Sequence, residues 1–224
     1  MPKTTAPDTS ASTTAKHQRR THLERTELSD RRMFEATESL ILEVGTQKTT
    51  LKEVGERAGY SRGLANARFG NKETLFLKLA DRCRRLWLDE LNQAAGDKRG
   101  LAAFLSRFDA IASYSSNSPE DARVMYILWF ESVGSNSDMK ESLARFHQQA
   151  RDDIRNLIID AKAAGEIAQD ISPECFAAHF TSTLFGLCYQ WVVNPYAIDV
   201  AQLMADIKQQ MLLVLRPTSS VHPE

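Results

Sequence analysis

A chain of 224 residues, 42% hydrophobic and 25% charged, can bury one small and one ordinary-sized core, which excludes a low-complexity or wholly disordered polypeptide. Its formal charge of -1 hides an asymmetry: residues 1–85 carry 17 Lys and Arg against 11 Asp and Glu, whereas residues 86–224 carry 11 against 18. One end is thus suited to a polyanion and the other is not.

Residues 1–24 are rich in Thr, Ser, Ala and Pro, and we expect a disordered basic arm. Its cluster Lys16, His17, Arg19, Arg20 and Arg25 fits either an arm that follows a minor groove or a solvated leader. The first 25 residues lack the apolar segment of a secretory signal, so a cytoplasmic protein is expected. A first helix is predicted from about Ser29 to Val44, with Met33, Phe34, Leu40 and Ile41 inward and Gly45 as its stop.

Thr50 to Phe69 reads as two short helices around a tight turn, the layout of a helix-turn-helix. Thr50 is placed to cap the first helix, and Glu53 three residues on completes a capping box. Leu51, Val54 and Ala58 recur at helical spacing, while Lys52, Glu53, Glu56 and Arg57 stay outside. Gly55 in mid-helix costs about 1 kcal/mol relative to Ala, a cost that a closely crossing second helix explains. Gly59 ends the helix where positive φ reverses the chain, and Ser61 caps the next. That second helix turns Leu64, Ala65 or both inward and exposes Arg62, Asn66 and Arg68, which suit base edges or phosphates. A helical hairpin with solvated charges is the plain alternative, but the order of cap, small residue, turn glycine and second cap favours the helix-turn-helix.

Asn71 is predicted to cap a long helix through Leu91, with Leu75, Phe76, Leu79, Leu86 and Trp87 as its apolar seam. This helix links the reading head to the remainder of the chain. From about Lys98 the spacing stays helical, with breaks at 115–119, 134–138, 165–173 and 194–199. Phe176 to Val193 lacks a formal charge, yet His179, Thr181, Ser182, Thr183 and Gln190 argue against a membrane span. We expect a helix buried on both faces that joins the last helix, about Val200 to Leu215, in a four-helix contact with a second subunit. Cys83, Cys175 and Cys188 are odd in number and without a CxxC pair, so no disulfide framework is expected. Cys175 and His179, four apart beside Glu174, admit a metal site in principle; we read them as buried core residues, with no metal and no cofactor.

Ser61-Arg62-Gly63 followed by Phe69-Gly70-Asn71-Lys72-Glu73-Thr74-Leu75 resembles the DNA-binding domain of TetR-family transcriptional regulators. The lead-in from Arg32 through Phe34, Ala36, Leu40 and Gly45 to Thr50 is similar as well, so that the likeness spans about residues 28–80. Gly165-Glu166-Ile167, Ser172-Pro173, Gly186, Trp191 and Asn194-Pro195 resemble the final helices of many members. Two positions depart from the pattern: Asn66 and Arg68 stand where members usually carry Tyr and His or Tyr that touch the phosphate backbone.

The resemblance implies an all-α fold, with a three-helix DNA-binding domain at 25–72, a helical effector-binding and dimerisation domain at 73–216 and a tail at 217–224. It implies a DNA-binding regulator, most simply a repressor released from a palindromic operator by an apolar or amphipathic small molecule, working as a homodimer with no membrane partner. Thr50, Arg68 and Lys72 are the candidates for phosphate anchoring, with Ser61 as cap, and Lys52, Arg62, Gly63 and Asn66 for proximity to the bases. For the effector pocket the candidates are Phe108, Tyr126, Trp129, Phe130, His147 and His179. The rival reading is a helical carrier or enzyme with an ancillary basic domain; no phosphate loop, HExxH or nucleophile elbow supports catalysis.

Overall fold

The computed structural model describes residues 22–134 and 137–216. Among them the chain forms α1 (His22–Lys48), α2 (Leu51–Arg57), α3 (Arg62–Phe69), α4 (Lys72–Ala95), α5 (Gly100–Asn117), α6 (Pro119–Ser132), α7 (Asp138–Ala163), α8 (Pro173–Val193) and α9 (Val200–Leu215), and no strand. Lys16, His17, Arg19 and Arg20 of the basic arm and the tail 217–224 lie outside the described residues.

α1 begins at His22, seven residues before the Ser29 expected from sequence, so that residues 22–24, assigned to the arm, are helical and Arg25 is exposed on the first turn. Ser29 is a buried member of the helix, its hydroxyl donating to the Thr26 carbonyl at 2.8 Å. At Gly45 the backbone leaves the helical region, and one further turn reaches Lys48.

Three apolar clusters hold the helices together. Met33, Ala36 and Leu40 of α1 meet Val54 and Ala58 of α2, Ala65 and Phe69 of α3, and Leu75 of α4. The Phe34 ring lies 5.7 Å from that of Phe69 and closes one side. The second cluster joins α4, α6, α7 and α8 through Leu79, Cys83, Met125, Trp129, Phe146 and Cys188, and it includes Ile41 of α1. That helix therefore belongs to two cores at once. The third cluster unites α5, α7, α8 and α9; Phe104 is its centre, edge-on to Phe108, Phe176 and Phe180 at 5.1–5.5 Å. Each such large side chain contributes roughly 1.5–3 kcal/mol on burial. The Gly165-Glu166-Ile167 run serves this core: Ile167 is buried, and the Glu166 carboxylate accepts from the Leu101 amide at 2.8 Å, capping α5 where Arg99 provides no side-chain cap.

Within the single chain, two helix faces expected to be covered are open. α8 is not buried on both faces of this chain: Phe176, Phe180, Leu187 and Trp191 point inward, but Cys175, His179, Ser182, Gly186, Tyr189, Gln190 and Val193 are exposed. Cys175 and His179 are thus not core residues. An apolar helix shows in its sequence that both faces are covered, not which neighbour covers them. Leu86, assigned to the α4 seam, is likewise an exposed residue. No described helix is long and apolar enough to cross a membrane.

Candidate nucleic-acid interface and effector cavity

The reading head is assembled by local hydrogen bonds. Thr50 and Glu53 form the capping box, Glu53 N donating to Thr50 Oγ1 at 3.3 Å and Thr50 N to Glu53 Oε2 at 3.0 Å. At Gly55 a Cβ would stand 3.0 Å from the Ser61 carbonyl oxygen, so the crossing of α2 and α3 admits only glycine without a backbone shift. Gly59, at φ 79, reverses the chain, and the Tyr60 amide closes the turn on the Gly55 carbonyl at 2.7 Å. Ser61 then caps α3 by accepting from the Leu64 amide at 3.2 Å. These fixed ends aim the helix. Ala65 and Phe69 are buried and Leu64 half-buried, while Arg62, Gly63, Asn66 and Ala67 face solvent. Among the described residues, neither the Arg62 nor the Asn66 side chain has a partner.

The cationic candidates divide into two groups. Lys52 is exposed, 3.9 Å from Glu56. Arg68 instead turns back on α1, its Nε 3.1 Å from Asp30 Oδ1, close enough for an ion pair but without hydrogen-bond alignment. Lys72 is half-buried and donates to the carbonyls of Thr46 and Gln47, at 3.2 and 3.4 Å, in the last turn of α1. Asp30, absent from the sequence-based candidates, carries no local signal; its role comes from the α1–α3 approach.

Behind the head, two adjoining cavities share Trp87, Ile111, Tyr126 and Leu184 as their common wall. Their atom-free space is about 410 and 520 Å³, open mouths included, but the centre of a water molecule can occupy only about 30 and 60 Å³ of it. A ligand of drug size therefore has to push this wall aside. Of the six residues expected to form the pocket, Tyr126 lines both cavities and the others line neither. Phe108 belongs to the aromatic core, Trp129 packs on Phe146 at 4.6 Å, and Phe130 lies between Tyr126 and Tyr189. His147 sits 4.2 Å from the Phe185 ring, where burial and then Arg151 hold its pKa below the usual histidine range, and His179 is exposed. Tyr126 shares a hydrogen bond with Cys188, and burial pushes the titration of both upward, that of the thiol to about 11.

The sequence-based reading missed Arg107 and Asp153 of the second cavity. Their signal was available. Arg107 falls on the apolar stripe Phe104, Phe108, Ile111, and Asp153 on the stripe Phe146, Ala150, Ile154.

Residues 34–79, from α1 to the first turns of α4, match the family of bacterial regulatory proteins, tetR family. Residues 34–79 form a TetR-family DNA-binding domain. Over nearly its whole length the fold is also similar to solved structures. A SmeT–triclosan complex superposes with a TM-score of 0.69 at 21% identity, over 88% of this chain and 98% of SmeT; SmeT is described as the repressor of the Stenotrophomonas maltophilia multidrug efflux pump SmeDEF. NalD, the secondary repressor of the MexAB-OprM multidrug efflux pump in Pseudomonas aeruginosa, gives 0.69 at 20% identity over 85% and 98%. The fatty acid degradation regulator FadR from Bacillus halodurans gives 0.68 at 16% identity over 82% and 94%. At these identities the likeness establishes the fold alone.

The TetR-like reading head is joined to the larger helical body by an ion-pair joint as well as by α4. Arg82 of α4 places Nη1 2.6 Å from Glu38 of α1 and 3.5 Å from Asp121 of α6. Two carboxylates share one guanidinium. Burial first, then Asp121, push the Glu38 carboxyl up to about 8 against the pull of Arg82. Cys83 lies close enough for its sulfur and the two carboxylates to fall within 4.8 Å of one another, but its thiol, pushed up to about 12, stays protonated and Arg82 already supplies the cation. Thr46 adds a second tie between α1 and α6, donating to Glu131 at 2.6 Å.

Proposed function

We propose that the chain is a homodimeric transcriptional repressor whose α3 helices read the two halves of a palindromic operator and which a small molecule releases. The observation that carries this reading is the capped, glycine-crossed reading head, which holds Arg62, Gly63 and Asn66 outward, the Arg62 and Asn66 side chains without a partner among the described residues. Thr50, Lys52 and Ser61 are assigned to the phosphate backbone and Arg62 and Asn66 to base edges. Arg68 and Lys72, engaged by Asp30 and by the end of α1, are assigned to positioning α3 rather than to phosphate. We divide the chain near residue 72, where α4 begins.

Dimerisation is supported by the exposed apolar faces of α8 and α9, where Tyr189, Val193, Leu213 and Val214 are each more than half exposed. Release is supported by the two compressible cavities against α4: an effector that displaces Trp87 moves the helix on which α3 rests. A coupling of about 1–3 kcal/mol is sufficient for such a switch. The description of SmeT and NalD as repressors, and the triclosan bound to SmeT, favour repression and an apolar or amphipathic effector. A regulator of this kind works on chromosomal DNA in the cytoplasm. Selection of genomic fragments on the purified protein tests the proposal: one enriched palindrome with half-sites about 34 Å apart is expected, and the absence of any enriched sequence overturns it.

A further inference from the structure

We infer that the effector is an amphipathic anion whose head group, a carboxylate or an equivalent oxyanion, pairs with Arg107 while its apolar part lies against Trp87. This inference deepens the proposal of an effector-released regulator and rests on it. Arg107 occupies a position on α5 that the stripe Phe104, Phe108 and Ile111 turns toward the interior. Arg107 lines the second cavity, whose wall is otherwise made mainly by Trp87, Leu91, Tyr126, Phe146, Ile154 and Phe180. Its Nε is buried and has no hydrogen-bond partner among the described residues.

Asp153 of α7, the one carboxylate on the same wall, interacts with Arg107 through space but does not come within the 4.0 Å of an ion pair. Burial draws the two groups in one direction, away from charge: it lowers the pKa of Arg107 and raises that of Asp153. Asp153 thus leaves the Nε of Arg107 without an acceptor, whereas a ligand oxyanion brings lone-pair acceptors to a guanidinium built for bidentate contact. The apolar lining on either side of Trp87 accounts for the remainder of the ligand, and the first cavity, behind the shared wall of Trp87, Ile111, Tyr126 and Leu184, gives it room to extend once that wall moves.

The test compares two matched series on the full-length protein, decanoate with decan-1-ol and decylamine, and 2-naphthoate with 2-naphthamide. Binding is read without DNA from tryptophan fluorescence and thermal shift. In at least one series the anion is expected to bind ten-fold or more tightly than its neutral counterpart, and Arg107→Met is expected to erase that difference while Arg107→Lys retains part of it. The inference is overturned if neither anion binds up to millimolar concentration, if the neutral compounds bind as well as the anions, if the preference survives in Arg107→Met, or if decylamine is favoured and Asp153→Asn abolishes it. Operator release is measured separately. Anion binding that leaves the operator occupied counts against the release mechanism alone; release by other compounds with no anion preference counts against this inference alone.

Discussion

At the scale of single residues, the reading head depends on a few positions with different kinds of constraint. Gly55 is constrained by space: the Ser61 carbonyl would be 3.0 Å from a Cβ there. Gly55→Val adds three carbons against backbone that can yield only by separating α2 from α3. The expected result is a loss of about 1–3 kcal/mol, read as a lower urea midpoint, together with loss of operator binding; a midpoint at or above the original would show that the crossing is loose. Arg62 and Asn66 are constrained by nothing internal, since no described group holds their side chains, and this freedom fits them to an external partner. Arg62→Ala is expected to leave stability within about 0.5 kcal/mol and to cost about 1–3 kcal/mol of binding at one base position. Competition with single-base operator variants measures this, and an unchanged preference would remove Arg62 from the readers.

Among the elements, α3 is held by caps at its ends and by an ion pair at its side. Asp30 and Arg68 are both about one-third exposed, so their pair is worth roughly 0.2–1 kcal/mol. Its effect lies in orientation. If Arg68 positions α3 from within, Asp30→Asn weakens binding to all DNA sequences alike and leaves the salt dependence unchanged. If instead Arg68 belongs to the phosphate backbone, freeing it steepens the salt slope by about one unit, and titrations at several salt concentrations separate the two outcomes. The starts of α2, α3 and α4 and their capping residues Thr50, Ser61 and Asn71 were legible in the sequence because caps act within three residues of their own position. The Arg68–Asp30 pair was not, since it depends on the angle at which α3 meets a helix about forty residues earlier in the chain.

At the scale of the whole molecule, the joint of Glu38, Arg82 and Asp121 makes stability depend on pH. The folded carboxyl at Glu38, at about 8, lies above its ordinary 4.5. Folding therefore takes up a proton between these values, and stability falls as pH rises through this window, with the loss complete above about 8. Glu38→Gln is expected to flatten the decline in urea midpoint between pH 5 and pH 9; an unchanged slope would mean that Arg82 keeps Glu38 ionised throughout. Assembly is tested by charge on the exposed faces of α8 and α9. Val193→Glu together with Val214→Glu places buried carboxylates in the proposed dimer contact, and light scattering is expected to show a monomer that no longer retains operator DNA. A dimer that persists would place the interface elsewhere.

What the sequence alone determined is local or periodic. The helical spacing, the breaks between helices, the capped helix-turn-helix and its basic surroundings all follow from residues within one or two turns of each other. The tertiary structure decided which faces meet. It withdrew Phe108, Trp129, Phe130, His147 and His179 from the cavity walls and brought Trp87, Arg107 and Asp153 to them. It also exposed Cys175 and His179, and turned Arg68 and Lys72 inward. The physical reason is common to these cases. An apolar or charged side chain has a preferred environment, but its partner is chosen by the packing of helices far apart in the chain, and no spacing within one helix records that choice.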